Sequence, residues 1–371
     1  MKILQIGKFF PPYYYGGIES VSFALHNALQ GKDDICADFL GFLPKNFSDN
    51  IKVDEHICLC KTDIDKFSTQ FSKSFVKKYK SIKDEYDIIF VNMPHPVANL
   101  VLNFFPPKKA KIILYWHADI IKQKKLLFFY KPFLINLIKK SVAVAAPTQV
   151  HLDESDFSNY FKGKKNVLPF ILNYKTQEIK YKLSYEDKKV IFACGRLIYY
   201  KGFDVLIEAA KFIDENAEVH ISGTGALKES LEKLITKNGV QNKVKLLGRL
   251  SDEQLQEEYK NCYLYCFPSV NRGEMMGMVQ YEALSYGKPI VSTDIPRSGA
   301  PTLNIEGKTG FHVPINDSKS LAEKINVLLR DEKLYKEFCN NAVKISKQYN
   351  NPKIIEMYIS LFDKVLSSSK K

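Results

Sequence analysis

Arginine is scarce in this chain of 371 residues, and none precedes Arg196. Lysine supplies most of the positive charge, and the formal net charge is +13 at pH 7. Such a charge suits nucleic acid, an anionic membrane face or phosphorylated substrates as partners. Arginine is the side chain that most often reads guanine, and no zinc-finger, RNA-recognition or helix-turn-helix pattern occurs, so we expect no nucleic-acid partner. A lysine-rich composition is also what an AT-rich genome produces.

Long apolar runs are missing as well. No window approaches the roughly 18 apolar residues of a membrane-spanning helix, and the start, MKILQIGKFF, has too short an apolar run for a signal peptide. The seven cysteines are scattered, without the C-x2-C pairing of a zinc site. We therefore expect buried, reduced thiols in a cytoplasmic protein.

An acidic pair for a catalytic metal is also missing. No Asp-x-Asp motif ends an apolar strand. Asp63 and Asp65 have that spacing, but they begin the lysine-rich stretch Lys66–Lys83, which we predict to be helical. The sequence therefore predicts no metal.

Two successive alternations of apolar strands and helical stretches run through the chain. This pattern is typical of α/β domains with parallel sheets covered on both faces. We predict a first Rossmann-like domain over residues 1–172, a linker over 173–188, a second Rossmann-like domain over 189–348 and a C-terminal helix over 349–371. The predicted strands are Lys2–Gly7, Ile35–Phe42, His56–Cys60, Tyr86–Asn92, Lys111–His117, Ser141–Ala146, Val190–Cys194, Glu218–Gly223, Lys243–Leu247, Tyr263–Phe267, Pro289–Ser292 and Gly310–Val313. Predicted helical segments include Ile18–Gln30, Phe203–Ile213, Ala226–Lys237, Asp252–Lys260, Ser318–Tyr349 and Pro352–Leu366.

Two carboxylates lie in the stretch Pro268–Pro314. Glu274 is in a glycine-flanked loop, and Glu282 lies about one turn into a short predicted helix, Met278–Tyr286. The N-terminus of such a helix offers free N–H groups and a positive dipole end to an anion. Glu274 could then accept hydrogen bonds from sugar hydroxyls, and Glu282 from a ribose. A helix-capping Glu274 and a solvated Glu282 explain the spacing equally well.

Glycines, cations and a histidine follow several predicted strands. Gly16–Gly17 and Gly223–Thr224 each open a helix, where they bring backbone N–H groups to a phosphate or form a plain turn. Arg196 and Lys201 come after a buried strand, where two cations suit a diphosphate or are ordinary surface charges. His117 follows another strand, where it points into a ligand crevice or caps the next helix.

The longer segments around these residues resemble those of the retaining glycosyltransferases of family 4, which have the GT-B fold. PSVNRGEMMGMVQYEALSYGKPIVST resembles the E-x7-E signature, GRLIYYKG the G-R-x4-K-G motif, and HADIIKQK the H-S-D-I-x2-Q-K segment of that family. The resemblance covers nearly the whole chain and is most specific in Gly195–Gly202 and Glu274–Gly287. It implies two Rossmann-like domains facing across a cleft, with the last helix crossing back to the first domain.

The resemblance also implies a role for each matching residue. Glu274 and His117 would contact the donor sugar, and Glu282 would hold the ribose. Arg196 and Lys201 would neutralise the leaving diphosphate, as a metal does elsewhere. The other matching positions would hold the sugar, the phosphates or the base: Gly16, Gly17, Gly223, Thr224, Arg249, Met276, Gly277 and Met278. Met276 replaces a phenylalanine common in the family, so the sugar specificity could differ.

The activity that the resemblance implies is metal-independent transfer of a hexose from a nucleotide sugar to a glycan or lipid-linked acceptor, with no further cofactor. HADI and IPRSGAP are most similar to bacterial mannosyltransferases of polysaccharide assembly that use GDP-mannose. Users of UDP-sugars share the same motifs. A sugar-nucleotide epimerase and a non-catalytic basic binder of membranes or nucleic acid are the alternatives from other classes.

Two stretches combine lysines with aromatic residues. Lys66–Lys83 places aromatic residues along one side of its predicted helix, a pattern found on membrane surfaces and, more often, in helices packed on their own sheet. Lys122–Lys140 is the better candidate for contact with a lipid-linked acceptor or an anionic bilayer. Its lysines alternate with Phe128, Phe129, Tyr130 and Phe133. We therefore expect peripheral contact with the inner face of the cytoplasmic membrane.

Overall fold

A computed structural model describes residues 1–13, 16–66, 69–120, 124–172, 188–349 and 352–368. The chain divides into two compact units, Met1–Asn173 with Asn351–Lys371, and Tyr174–Asn350. The predicted linker, 173–188, lies outside the described residues except for its last position. Within the described ranges, no helix is long and apolar enough to cross a membrane.

The first unit is built around a parallel sheet. The strands of the unit are β1 (Lys2–Ile6), β2 (Cys36–Phe42), β3 (Ile51–Lys52), β4 (Ile57–Cys60), β5 (Ile64–Lys66), β6 (Thr69–Phe71), β7 (Ile88–Met93), β8 (Lys111–Trp116), β9 (Ala143–Ala146) and β10 (Lys165–Val167), of which β5 and β6 form a separate pair outside this sheet. The order across the sheet is β10-β9-β8-β7-β1-β2-β4-β3, and the edge strand β3 runs antiparallel to β4. The strand order reverses between β1 and β7. Parallel α/β sheets leave a crevice outside the carboxyl ends at such a point.

Helices cover both faces of this sheet. They are α1 (Gly17–Gln30), α2 (Lys73–Ile82), α3 (Pro96–Phe104), α4 (Lys124–Lys140) and α5 (Gln149–Asp153). Leu4 and Ile6 of β1 lie in one core with buried residues of α2, α3 and α4. Phe39 and Ile57 lie in a second core, against which Phe23 of α1 packs. Burial on both faces explains why the strands read as near-continuous apolar runs.

The predicted helix Lys66–Lys83 is wrong in its first third. Ile64–Lys66 and Thr69–Phe71 form an antiparallel hairpin, so Asp65 lies on a strand rather than at the start of a helix. The helix begins after Ser72, whose side chain accepts a hydrogen bond from Phe75 N at 3.0 Å. A serine cap satisfies a free N–H group of the first turn, and it sets the start of α2 here. Strands β3 and β10 were not predicted, and both are short.

The second unit has a parallel sheet of its own. Its strands are β11 (Lys189–Cys194), β12 (Ala217–Ser222), β13 (Val244–Gly248), β14 (Leu264–Phe267), β15 (Ile290–Thr293) and β16 (Gly310–Val313). The order is β13-β12-β11-β14-β15-β16, which is that of a dinucleotide-binding Rossmann sheet with its reversal between β11 and β14. Its helices are α6 (Phe203–Ala209), α7 (Lys228–Lys237), α8 (Asp252–Asn261), α9 (Met278–Ser285), α10 (Ser318–Arg330) and α11 (Glu332–Tyr349).

Alternate residues of β11 face different cores. Ile191 and Ala193 pack in a cluster with residues of α6, α7 and α10. Phe192 and Cys194 pack in the other cluster, with residues of α8 and α9. The predicted helical stretch Ser318–Tyr349 is interrupted at Asp331, whose side chain accepts a hydrogen bond from Leu334 N at 2.9 Å and so starts a new helix.

The last helix, α12 (Lys353–Ser367), packs on the first unit. Tyr358 stacks on Tyr115 with 6.1 Å between ring centroids and donates a hydrogen bond to Pro169 O at 3.0 Å. Phe362 meets Phe90 edge to face at 5.9 Å. The return of the C-terminal helix to the first unit is therefore confirmed.

Candidate functional site

Two loops of the second unit meet where its strand order reverses. Strands β11 and β14 are neighbours in the sheet. The loop after β11 carries Arg196 and Lys201, and the loop after β14 carries Glu274. Because ligands of open α/β sheets bind outside the carboxyl ends of the strands at this point, these residues lie where a ligand is expected.

Lys201 and Glu274 form an ion pair that joins the two loops. The ammonium Nζ of Lys201 pairs with Oε2 of Glu274, and the two side chains are 12% and 14% exposed. Lys201 Nζ also lies 5.8 Å from the centroid of the Phe267 ring. The pair is largely shielded from water, and an unpaired charge is costly in such a place. A ligand that binds one of the two side chains must therefore leave the charge of the other still paired.

Arg196 is held by a residue that sequence reasoning missed. Its Nη2 donates a hydrogen bond to the hydroxyl of Tyr200 at 2.8 Å. Tyr200 is buried, whereas Arg196 is exposed. The tyrosine therefore links the guanidinium of an exposed arginine to the core. Its place four residues after Arg196, within GRLIYYKG, was the signal that could have revealed it.

Ser298 fixes the loop that carries Glu274. Its hydroxyl lies 2.6 Å from Glu274 O and 3.2 Å from Met275 O, and it accepts a hydrogen bond from Ala300 N at 3.1 Å. Ser298 is buried. Buried hydroxyls that are hydrogen-bonded to loop carbonyls restrict the backbone. Ser298 therefore fixes the backbone position from which the Glu274 side chain extends.

Close backbone packing at the strand ends requires glycine at position 223. Gly223 has φ +142°, and a Cβ there would lie 1.8 Å from Gly195 O. Gly223 N donates to Gly248 O at 2.8 Å, and Leu197 N donates to Thr224 O at 2.8 Å. The loops after β11, β12 and β13 are thereby joined side by side, with Thr224 and Arg249 exposed at their tips.

Helix α9 begins beside the ion pair. Its N-cap is Gly277, with φ +66°, where a Cβ would lie 2.5 Å from the Phe267 ring. Among the described residues no side chain caps this N-terminus, and Gln280 N donates to Gly277 O at 2.9 Å. The first two N–H groups of the helix, those of Met278 and Val279, are therefore the ones that can meet an anion. Met276, just before the cap, is buried.

Glu282 lies in α9, as predicted, and its charge acts on the end of β11. Burial and, after it, the negative charge of Glu282 raise the pKa of the Cys194 thiol to about 11, although hydrogen bonds with two tyrosine hydroxyls and the charge of Lys201 act in the opposite direction. The thiol lies 3.1 Å from the Tyr259 hydroxyl. Both Glu282 and Lys201 are thus close enough to Cys194 to influence its ionisation, although Cys194 itself is buried beneath the site.

His117 follows β8 in the first unit and is buried. Its Nε2 bonds Asn92 Oδ1 at 2.8 Å, and Asn92 Nδ2 donates to Ile6 O at 3.1 Å. Because the amide nitrogen is used on Ile6, Oδ1 accepts and Nε2 carries the proton. Burial lowers the pKa of His117 to about 3, so the ring is neutral at pH 7. Its Nδ1 has no hydrogen-bond partner within the described part of the chain.

The other strand ends of the first unit carry a buried polar group and a helix N-terminus. His95 follows β7, and its Nε2 donates to Gly7 O at 3.0 Å while its Nδ1 accepts from Ala98 N at 3.1 Å. Gly16 is the N-cap of α1, which starts at Gly17 and has no side-chain cap. Asn92 and His95 were not predicted as site residues, although both stand at the end of an apolar strand.

Comparison with known proteins relates the second unit to a family of transferases. The model of the family "Glycosyl transferases group 1" matches residues 175–345. The match covers nearly all of the second unit. The chain is therefore a glycosyltransferase, as the resemblance implied.

Relatives of this glycosyltransferase match it over nearly its full length. It is 27% identical to the O-antigen chain mannosyltransferase C of Escherichia coli over 375 residues, which covers 99% of this chain and 100% of the relative. It is 27% identical to the D-rhamnosyltransferase WbpZ of Pseudomonas aeruginosa, over 92% of this chain and 90% of the relative.

Solved structures show the fold of the glycosyltransferase. HepE of Anabaena, in complex with UDP and glucose, superposes with a TM-score of 0.73 at 23% identity, over 99% of this chain and 100% of HepE. Sucrose-phosphate synthase of Thermosynechococcus elongatus superposes with a TM-score of 0.80 at 18% identity, over 99% of each chain. The predicted GT-B fold is confirmed.

Proposed function

We propose that this glycosyltransferase transfers mannose from GDP-mannose to a glycan or lipid-linked acceptor in the synthesis of a bacterial O-antigen or related surface polysaccharide. The observation that carries the proposal is the ion pair of Lys201 and Glu274 at the strand reversal of the second unit. It places a cation suited to a diphosphate beside a carboxylate suited to sugar hydroxyls. The full-length likeness to an O-antigen mannosyltransferase supports the choice of sugar.

In the proposed reaction, negative charge grows on the departing diphosphate as the sugar acquires oxocarbenium character. Arg196, Lys201 and the first two N–H groups of α9 stabilise that charge without a metal. Glu274 accepts hydrogen bonds from the sugar, and Glu282 from the ribose. The sequence offers no well-placed nucleophile, so we propose retention by attack on the same face, assisted by the leaving phosphate.

Other assignments rest on the resemblance rather than on geometry. These are a sugar contact for His117, phosphate contacts for Gly16, Gly17, Gly223 and Thr224, and a base contact for Arg249. The neutral His117 has an Nδ1 free to accept from a hydroxyl, which is consistent with the first of them. A UDP-sugar donor is the second candidate, because HepE was solved with UDP and glucose.

The experiment is a donor screen with the purified full chain. GDP-mannose, UDP-glucose and UDP-N-acetylhexosamines are supplied with a panel of lipid-linked glycans, and release of GDP or UDP is measured together with product mass. We expect GDP release with GDP-mannose that persists in EDTA, and a product whose anomeric configuration matches the donor by NMR. Release of UDP alone would show that the donor is a UDP-sugar and not GDP-mannose. A product with the inverted anomeric configuration would refute retention.

Site variants test the residues behind the proposal. Lys201→Ala and Glu274→Ala should each lower the transfer rate by about 10²–10³. Lys228→Ala is the matched control, because Lys228 is an exposed lysine of the same unit that pairs with Glu232. Full activity in the Lys201 and Glu274 variants would show that the site is wrongly assigned.

We further propose that the first unit contacts an anionic bilayer through an aromatic patch of Phe104, Phe128, Phe129 and Phe133. Phe128 and Phe129 are each 75% exposed, and the rings of Phe104 and Phe133 lie 5.7 Å apart, which joins α3 to α4. Exposed lysines of α4 accompany the patch: Lys131, Lys139 and Lys140. Aromatic rings that enter the interface, next to lysines that meet lipid phosphates, are the usual pairing for peripheral membrane binding.

Sedimentation with vesicles tests this contact. The full chain should pellet with phosphatidylglycerol vesicles at low salt and less at high salt. Phe128→Ser with Phe129→Ser should abolish pelleting. Phe212→Ser is the control, because Phe212 is an exposed phenylalanine of the second unit with Lys211 Nζ 5.7 Å from its ring centroid. No pelleting of the unaltered chain, or equal loss in the control, would refute the patch.

A further inference from the structure

Three potential metal ligands of different types meet at the amino end of the first unit's sheet. Cys36 is the first residue of β2, Asp38 lies two residues later on the same face of that strand, and His56 immediately precedes β4. One ligand atom from each lies within 4.8 Å of the others. We call these three residues the amino-end cluster. The carboxyl ends of the strands, where the glycosyltransferase site is proposed, are at the opposite edge.

The backbone brings the cluster together without help from a ligand. Strands β2 and β4 pair in parallel with Phe39 opposite Ile57, which sets Asp38 level with His56. Phe39 N donates to His56 O at 2.7 Å, so the backbones of the two segments are hydrogen-bonded next to the cluster. The scaffold of the cluster is therefore a pair of hydrogen-bonded strands, which holds side chains more rigidly than a loop does.

Two of the three side chains are already bonded to each other, and one of them has a partner outside the cluster. Asp38 Oδ1 accepts a hydrogen bond from His56 Nδ1 at 2.8 Å, and Asp38 Oδ2 accepts one from the Tyr86 hydroxyl at 2.7 Å. Carboxylate ligands of metals are commonly oriented by such a second hydrogen bond. The side chains of His56 and Asp38 are 32% and 28% exposed, so an ion can reach them from solvent.

We propose that the amino-end cluster binds one Zn²⁺ ion through Cys36 Sγ, Asp38 Oδ1 and a ring nitrogen of His56. Thiolate, imidazole and carboxylate are the ligands zinc takes in proteins, whereas Mg²⁺ and Ca²⁺ prefer oxygen alone. Zinc bonds of about 2.0–2.3 Å in a tetrahedron separate ligand atoms by about 3.5 Å. The ligand atoms of the cluster lie within 4.8 Å of one another, so small side-chain shifts suffice, and the 2.8 Å hydrogen bond between His56 Nδ1 and Asp38 Oδ1 gives way to the metal bonds.

Binding is balanced by the loss of protons from the cluster. The Cys36 thiol releases its proton to become a thiolate ligand, and the imidazole binds as the neutral base. Three protein ligands leave the fourth position to water. An ion held this way connects the start of β2 to the start of β4, and the proposal is independent of the sugar-transfer reaction at the other edge.

Cobalt substitution tests the proposal on the reduced, metal-free full chain. Co²⁺ should produce a sulfur-to-cobalt charge-transfer band that saturates at one equivalent and disappears when Zn²⁺ is added. Cys36→Ser should lose the band. Tyr86→Phe, which removes the hydrogen bond to Asp38, should weaken binding about 10–100-fold. Thermal unfolding without metal shows whether each variant is folded.

Cys58→Ser is the matched control, because Cys58 lies two residues after His56 on the same face of β4 but outside the amino-end cluster. It should keep the band and its stoichiometry. Zn²⁺ should also raise the melting temperature of the unaltered chain and of Cys58→Ser, but not that of Cys36→Ser. The proposal is overturned if the unaltered chain shows no band, if the band survives in Cys36→Ser, or if Cys58→Ser loses it.

Discussion

The Lys201–Glu274 ion pair should contribute separately to stability and to catalysis, and a double-mutant cycle can separate the two. Lys201→Met leaves a carboxylate in a setting where the side chain is 14% exposed, and Glu274→Gln leaves an ammonium in one where it is 12% exposed. Removing one partner of a buried pair costs about 3–5 kcal/mol, because the remaining charge is neither paired nor hydrated. We take the lower end, about 3 kcal/mol, since both groups keep some access to water.

The double variant should regain much of that stability. With both charges gone, no uncompensated charge is buried, so we expect the double variant to lose only about 1 kcal/mol, which against about 3 kcal/mol in each single variant is a coupling energy of about 5 kcal/mol between the two sites. Activity should not recover, because both the cation for the diphosphate and the carboxylate for the sugar are missing. Each single change should lower the rate about 10²–10³-fold, and the double variant should be at least as slow.

Urea and thermal unfolding without donor supply the measurement. For a unit of this size, about 3 kcal/mol corresponds to a loss of roughly 6–12 °C in melting temperature. The double variant should melt within a few degrees of the unaltered chain, and donor turnover is measured on the same samples. The reasoning fails if the single variants are as stable as the unaltered chain, or if the double variant loses the sum of the two single losses.

Three further outcomes follow from named contacts. Tyr200→Phe removes the hydrogen bond to Arg196, so kcat should fall about tenfold with little change in melting temperature; an unchanged kcat in steady-state assays would contradict this. Gly223→Ala should lower the melting temperature far more than Gly239→Ala, because both have positive φ but only Gly223 has no room for a Cβ; equal losses would refute the packing argument. The pKa of His117, lowered to about 3, means that the unfolded chain takes up a proton there near pH 6.5 while the folded chain does not. Stability should therefore fall as pH drops from about 6.5 towards 3, and urea titrations across that range should show a shallower fall in His117→Gln.

Much of the second unit follows from its sequence because its strands are mostly apolar runs, and all but β15 end at or directly before a glycine or proline. That pattern placed Lys201 and Glu274 in the loops after two strands, and the strand order brings these two residues together. Contacts between segments that are distant in the chain could not be predicted from the sequence. Ser298 fixes the loop of Glu274 from 24 residues away, and nothing in the local pattern of either segment points to the other.

The first unit shows where periodicity misleads. The stretch Lys66–Lys83 has aromatic residues at spacings that fit a helix, but Thr69–Phe71 pairs with Ile64–Lys66. The sequence does mark the observed start of α2, because Ser72, a residue that favours the N-cap position, lies within the predicted helix. The amino-end cluster was likewise hidden, because its cysteine and its histidine are 20 positions apart and meet only through the pairing of two strands.

The placement of α12 has a consequence for how the chain is made. Phe90 and Tyr115 of the central strands are covered by Tyr358 and Phe362, which the ribosome adds after the entire second unit. During synthesis the aromatic surface of the first unit therefore stays exposed until some 180 later residues have been added. Truncation before Lys353 would leave that surface permanently bare, so such a chain should aggregate or bind chaperones even though every proposed sugar-binding residue is still present.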